Sequence, residues 1–342
     1  MKAWVWEGPG RIRLEENRPD PVAKPGWVVL KTRAAGVCST DVSIFSGRFG
    51  AWNPPGVLGH EICGEVVELG AGARGVNLGD RVVVETSVGC GACAKCRTGN
   101  KHLCADAGEI GFPPFDGGYA QYVAVPDNCC RKMPDCMTDG QGAILEASIC
   151  PFGAIYRRPP AIGSTVLVQG TGVAGLSFIQ SVKCFGAKKV IAAGRNASRL
   201  ADARRFGADV TVDVQKENLS EVVMAETGGA GADITIDAAG AETTFGNAIK
   251  LCASGGTVHL YGIPPAGAKM ALPADEVIFR QLTICGGTNN ELAWTPLMDL
   301  IAGGKFDNAG MVTHRFGFED LPAAFDLVER HPDGLIKAVL IF

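Results

Sequence analysis

No apolar run in the 342-residue sequence approaches the ~20 residues that a membrane-spanning helix needs, so a membrane partner is not expected. Basic clusters are missing as well. The formal net charge is −4, and without a Lys/Arg-rich stretch there is no electrostatic footprint for nucleic acid. The opening MKAWVWEGPGRIRLEE breaks into charge and Gly-Pro too early to read as a secretory signal. No internal repeat or low-complexity segment stands out. What is present is an ordinary globular composition, 46% hydrophobic and 20% charged, at a length that suits about two domains. Thirteen cysteines without a secretory leader favour reduced thiols and metal ligands over disulfides, and a cytoplasmic enzyme.

The texture of the chain changes once in each direction. Up to about residue 147, short apolar or alternating runs (AWVW, WVVLKTRAAG, HEICGEVVELG, RVVVE, YAQYVAVP) lie between Gly/Pro turns and predict strands. From Ser164, TVLVQ, KVIAAG, VTVD, DITIDAAG, TVHLYG and LTICGG predict six strands, most of them separated by helix-length segments such as VAGLSFIQSVKCFGA. That alternation means βαβ units and a buried parallel sheet. The tail from about Asn290 returns to mixed texture and ends in LIKAVLIF, read as a strand of the first domain. The expected fold is α/β: a Rossmann-type doubly wound parallel sheet (148–289) inserted in a β-rich domain formed by 1–147 and 290–342.

Four cysteines, Cys90, Cys93, Cys96 and Cys104, crowd a Gly-rich loop within an expected lobe at about 89–105. Their spacing, C-x2-C-x2-C-x7-C, suits a tetrahedral zinc ion whose positions are all filled by thiolate, which makes the site structural. Four thiolates can also hold an iron–sulfur cluster, and a zinc ribbon could in principle touch nucleic acid. The flanks offer only Lys95, Arg97, Lys101 and His102 for the latter. Chemistry needs a different ligand set with one position open. GVCSTD, LGHEICGE and ILEAS supply Cys38, His60, Glu61 and Glu146, one thiolate, one imidazole and carboxylates. Such a set could hold zinc while water or substrate takes the remaining position.

Taken together, GVCSTD, GHE-x2-GEVVELG, the four-cysteine lobe, ILEAS and a glycine-rich turn resemble the zinc-dependent medium-chain alcohol dehydrogenases. The resemblance is nearer the sorbitol and threonine dehydrogenase branch than the animal liver enzymes, covers essentially the whole length, and makes the first domain GroES-like. It implies two zinc ions per chain, one catalytic and one structural. Cys38 and His60 become catalytic zinc ligands, with Glu146 in the third place and Glu61 as a carboxylate that enters or leaves the shell. Asp41 becomes the residue that holds the His60 imidazole, and Thr40 the hydroxyl that receives the alcohol proton. Many members carry a histidine three residues after that hydroxyl; here the position is Ser43, which does not titrate near neutrality.

The turn is VLVQGTGVAGLSFIQ, with Gly170, Gly172, Val173 and Gly175 between an apolar strand and a helix. Glycines there permit a tight bend and close backbone approach, and the helix N-terminus receives a pyrophosphate. At the end of the second strand, where NAD-preferring sites carry a carboxylate, stands Gly194, followed by Arg195 and Arg199. No acidic residue occurs from Leu176 to Ala201. A guanidinium can hold a 2′-phosphate, so NADP(H) is favoured; read as solvated surface, the arginines leave NAD(H) open. The resemblance places Ala239 (in AAG) and Gly262 (in LYGIP) near the nicotinamide. Phe49, Trp52, Phe112, Phe115 and Trp294 are candidates for the substrate wall, with plain core packing as their alternative. The expected activity is hydride exchange between a secondary alcohol or polyol, or its ketone, and NADP(H). A homotetramer or homodimer is expected. The alternatives are a zinc-independent quinone or enone reductase of the same superfamily, and a non-enzymatic nucleotide-binding zinc protein.

Overall fold

Alternation of apolar strands with helices after Ser164 produces one six-stranded parallel sheet in a computed structural model that describes every residue except 51 and 266. Its strands are β1 (Thr165–Gln169), β2 (Lys189–Gly194), β3 (Val210–Asp213), β4 (Ala232–Asp237), β5 (Cys252–Leu260) and β6 (Thr283–Gly286). The spatial order is β3-β2-β1-β4-β5-β6, which reverses beside β1 and opens a crevice at the strand C-termini. Helices cover the sheet, so its strands read as continuous apolar runs rather than alternating ones. Leu167, Ile191, Val212, Val223 and Leu251 form one buried cluster, and Phe245, Ile249, Val258 and Leu282 another.

This unit comprises Ser148–Ala293 and Lys305–Asp307. Its first segment ends after Ala293, close to the expected start of the tail at 290. Gly153 lies so close to Asn290 that a Cβ there would stand 2.7 Å from the Asn290 nitrogen. Farther on, Gln180 Nε2 donates to the Asp307 carbonyl (3.2 Å) and the Asp307 N–H donates to Gln180 Oε1 (2.6 Å), which explains why that short segment belongs here.

The other unit comprises Met1–Ala147, Trp294–Gly304 and Asn308–Phe342. Its main sheet has seven strands. Strand Trp27–Val37 lies between Ile62–Leu69 and Lys337–Ile341, and also pairs with Tyr122–Pro126. In these registers Ala35 faces Ile62, and Val37 faces Ala338. Three segments distant in sequence thus end side by side at one edge. The helix Leu321–Arg330 connects Val312–Gly317 to the parallel strand Lys337–Ile341 and buries Leu321, Phe325 and Val328 against Trp4, Trp6 and Tyr119. No described helix is long and apolar enough to cross a membrane.

Candidate metal centres and cofactor turn

Strand Trp27–Val37 stops at Cys38, which occupies the N-cap position of helix Ser39–Phe45 with extended backbone. Strand Ile62–Leu69 starts directly after His60 and Glu61. Because these strands are antiparallel neighbours, Cys38, His60 and Glu61 meet, and one ligand atom from each lies within 4.8 Å of the others. Glu146, second residue of helix Leu145–Arg157, places Oε2 3.9 Å from His60 Nε2. It therefore borders the group without being one of the three mutually close donors.

The surroundings prepare these atoms for a cation. The His60 Nδ1–H donates to Asp41 Oδ1 at 2.9 Å, which leaves Nε2 as the ring position a metal would take in place of a proton. Asp41 is completely buried and also accepts the Gly59 N–H (3.3 Å) and the Tyr119 hydroxyl (2.9 Å). Burial opposes a charge on His60, but the Asp41 carboxylate overrides it and holds the imidazole well above its ordinary value. The same carboxylate would favour a metal cation on the ring as it favours a proton. Tyr119 is also raised, far above the usual phenol range, by burial and by Asp41, and so remains a hydroxyl donor.

Glu61 is the least conventional member. Its carboxylate is fully buried, with Oε1 accepting from Lys337 Nζ at 2.5 Å. Oε2 has no hydrogen-bond partner although it is buried. An orphaned carboxylate oxygen beside a thiol and an imidazole fits a bound cation, which would supply the missing partner. The space for it depends on Gly36, where a Cβ would stand 1.8 Å from Glu61 Oε2.

Thr40 and Ser43 are both half-buried on helix Ser39–Phe45. Of the expected aromatic wall, Phe112 tilts over His60 with centroids 5.1 Å apart, and Trp52 lies 5.2 Å from Phe112. Of the others, Phe115 stacks on Trp27, Trp294 is buried inside its unit, and Phe49 packs, with Trp52, against the core cluster to which Phe112 belongs. Sequence reasoning missed Lys337 and Tyr119. The signal for Lys337 was available: a lone cation in the apolar run LIKAVLIF needs a buried partner.

The four-cysteine lobe assembles as a second group, with its Sγ atoms within 4.8 Å of one another and every thiol free. Cys93 caps the short helix Ala94–Arg97, and its own N–H points at Cys90 Sγ (3.4 Å). Amide N–H groups of Ala92 and Cys93 lower Cys90 to about 7, whereas burial and the neighbouring sulfurs raise Cys96 to about 12. Four thiolates so close together need a cation among them, as a structural metal provides. Lys101 ties the lobe down: its buried ammonium reaches the Asn128 carbonyl (3.1 Å) and Glu85 (3.3 Å), and Glu85 also pairs with Arg131.

In the parallel-sheet unit, the glycine-rich turn follows β1. A Cβ on Gly175 would stand 1.9 Å from the Gly170 carbonyl oxygen, so helix Val173–Cys184 packs on the turn only through glycine. Gly170 itself has φ +102°. Around Gly172, the helix N-cap, there is open space within 4 Å, as an approaching pyrophosphate requires. Ala239 is exposed beside Gly240, whose N–H donates to Asp237 Oδ1 at 3.0 Å. Gly262 packs directly on Gly240; a Cβ on Gly262 would stand 2.1 Å from the Gly240 nitrogen.

Gly194 ends β2, Arg195 is exposed, and Arg199 is half-buried in helix Ala197–Arg205. Among the described residues neither guanidinium is engaged in an ion pair. A carboxylate does stand close, beyond the stretch Leu176 to Ala201: Asp213 of β3 is the register partner of Gly194. It is bridged to Lys216 at 2.9 Å and accepts the Gln215 N–H, and the Lys216 contact holds its carboxyl below the usual range.

Comparisons with known proteins agree over the chain. Residues 24–135 match the alcohol dehydrogenase GroES-like domain, and residues 174–303 match the zinc-binding dehydrogenase domain. The L-threonine 3-dehydrogenase of Rhizobium rhizogenes is 31% identical over 344 aligned positions, covering 98% of this chain and 97% of that one. The enzyme of that name from Bacillus subtilis is 33% identical, covering 94% and 93%. Among solved structures, a zinc-binding dehydrogenase from Sinorhizobium meliloti bound to NADP superposes with a TM-score of 0.92 at 31% identity, covering 100% and 99%. A short chain alcohol dehydrogenase (rspB) from Escherichia coli complexed with NADH gives 0.93 at 28% identity, with the same coverage.

Proposed function

The chain belongs to the zinc-dependent medium-chain alcohol dehydrogenase family, in its threonine/sorbitol dehydrogenase-like branch, and from that premise we propose a reaction and its residues. It is an NAD(P)-dependent alcohol dehydrogenase. The proposed reaction is reversible oxidation of a secondary alcohol or polyol to its ketone, with NADP(H) as the preferred partner. The observation that carries it is the orphaned Glu61 oxygen beside Cys38 and His60, an open mixed-donor set distinct from the closed four-thiolate lobe.

When bound, a catalytic zinc polarises the substrate oxygen and lowers the alcohol pKa, and a nicotinamide exchanges the hydride. The chain supplies the rest. Cys38, His60 and Glu146 serve as ligands, with Glu61 as an additional carboxylate whose Oε1 is held by Lys337. Asp41, itself fixed by Tyr119, locks the imidazole tautomer. Thr40 would relay the alcohol proton, its hydroxyl accepting that proton while releasing its own to water, since Ser43 offers no titrating group to receive it. Phe112, backed by Trp52, covers the imidazole with apolar surface and limits access of water. Cys90, Cys93, Cys96 and Cys104 hold the structural zinc, giving two ions per chain.

Arg195 and Arg199 are proposed to read the 2′-phosphate, since neither is committed to an ion pair. Asp213 is not proposed as the ribose reader, because it stands on β3 rather than at the end of β2 and is already bridged to Lys216. The free state of the cysteines suits a cytoplasmic location. A homodimer or homotetramer is proposed from the bare edge of β6 and the exposure of Ile278 (68%) and Phe279 (85%). The test of the activity is a screen of amino alcohols, polyols and cyclitols with NADP+ and NAD+, followed by reduced-nicotinamide absorbance. Turnover of a secondary alcohol that stops on chelation and returns with zinc supports the reading; turnover indifferent to metal defeats it.

A further inference from the structure

Thr171 separates the first two glycines of the turn, and its side chain is buried against the end of β2. A Cβ built on Gly194 would stand 2.7 Å from Thr171 Oγ1, 3.1 Å from its Cγ2 and 3.3 Å from Leu200 Cδ2. The first distance is shorter than side chains tolerate. Rotation relieves it only in part. Both heavy γ atoms of Thr171 face Gly194, so a turn about χ1 that puts the hydrogen in the Oγ1 place still leaves a heavy atom in the 3.1 Å place, a tight contact, and moves the third substituent against a buried surround. Leu200, only 7% exposed, closes the remaining side. The strand end from which a ribose-reading carboxylate normally starts is therefore occupied, and the occupant comes from the phosphate-binding turn.

We propose that Thr171 and Gly194 form a coupled steric pair that sets cofactor specificity, with Thr171 crowding any side chain at position 194. A carboxylate introduced there must displace Thr171 or the turn that carries it, and the exposed guanidinium of Arg195 is left as the group nearest in sequence to meet the 2′ substituent. The direction of the specificity rests on the proposed preference for NADP(H). The steric coupling does not, because it is a property of the folded turn.

This predicts a particular non-additivity. Gly194→Asp alone drives its Cβ into Thr171, displaces the turn and weakens both cofactors, since both need the turn for their pyrophosphate. Thr171→Ala removes both γ atoms, so the double variant accepts the aspartate and can present it to a ribose 2′-hydroxyl. The experiment compares the parent, Thr171→Ala, Gly194→Asp and the double variant as full-length protein. Cofactor-free melting temperature is measured first, then NADP+ and NAD+ affinity by calorimetry. Gly194→Asp should melt lower than the parent and bind both cofactors about tenfold more weakly, as overpacking of this kind implies. The double variant should regain the melting temperature of Thr171→Ala and bind NAD+ about tenfold more tightly than Gly194→Asp does. A Gly194→Asp protein that melts with the parent and binds NAD+ as well as the double variant overturns the steric pair, whichever cofactor the parent prefers. A parent that binds NAD+ more tightly than NADP+ instead overturns the NADP(H) reading and the specificity role built on it.

Discussion

Replacing Lys337 by Met removes the cation that faces a completely buried carboxylate. The Lys337 ammonium stands 2.5 Å from Glu61 Oε1, with side-chain exposures of 4% and 0%. At an effective dielectric of about 20, unit charges at that separation attract by roughly 6–7 kcal/mol, part of which offsets their desolvation. Deleting one partner leaves the other charged and dry, which costs about 3–5 kcal/mol. Burial pulls the Lys337 ammonium down, but Glu61 outweighs it and raises the group above the ordinary lysine value. A raised lysine contributes its full stability below its unfolded pKa and loses it only as pH rises through the folded value. The destabilisation should therefore be the same at neutral pH and at about pH 9. The assay is thermal or denaturant unfolding of metal-stripped protein, comparing transition midpoints because a chain of two units need not unfold in one step. Lys337→Met/Glu61→Gln should recover most of the loss by removing the stranded charge. Zinc should shrink the defect by giving Glu61 another cation. A Lys337→Met protein as stable as the parent without metal, or no recovery in the double variant, would refute a stabilising role for this ion pair.

In metal-stripped protein, Cys90, lowered to about 7 by amide N–H donors, should alkylate first, with a half-maximal rate near that pH. Cys96, raised to about 12, should lag at neutrality, and peptide mapping after iodoacetamide treatment distinguishes the two. Cys96→Ser should lower melting temperature and solubility, because a structural metal contributes directly to folding; a variant that keeps the parent's melting temperature contradicts that role. Arg195→Ala should weaken NADP+ by about ten- to a hundredfold and barely change NAD+, as loss of a charge-assisted hydrogen bond implies. Equal loss of both cofactors in calorimetry at fixed ionic strength would remove Arg195 from the 2′ site.

Most of the fold was legible because strands buried on both faces announce themselves as short apolar runs. TVLVQ, KVIAAG and VTVD coincide with β1, β2 and β3 residue for residue. Clusters written as local motifs were legible too, since C-x2-C spacing and GHE carry their geometry with them. What depended on tertiary register was not. The approach of Lys337 to Glu61 depends on Ala338 facing Val37 across a sheet, and pairing partners hundreds of residues apart leave no local trace. Asp213 beside Gly194 is the same kind of omission: the two are neighbours across the strands and not along the chain. Hydrophobicity alone does not tell a pocket wall from a core: Phe112 tilts over His60 yet belongs to the buried cluster, and Trp294 is buried in its unit.

The Cys38 group is assigned the chemistry, and the four-cysteine lobe only structure. Zinc content and turnover measured together on Cys38→Ser test that division most directly. The parent should hold two equivalents of zinc per chain, in keeping with the two donor groups. The variant should hold about one, melt near the parent's temperature, and show no detectable hydride transfer with any alcohol the parent oxidises. Full turnover by the variant, or loss of both zinc equivalents together, would contradict the assignment.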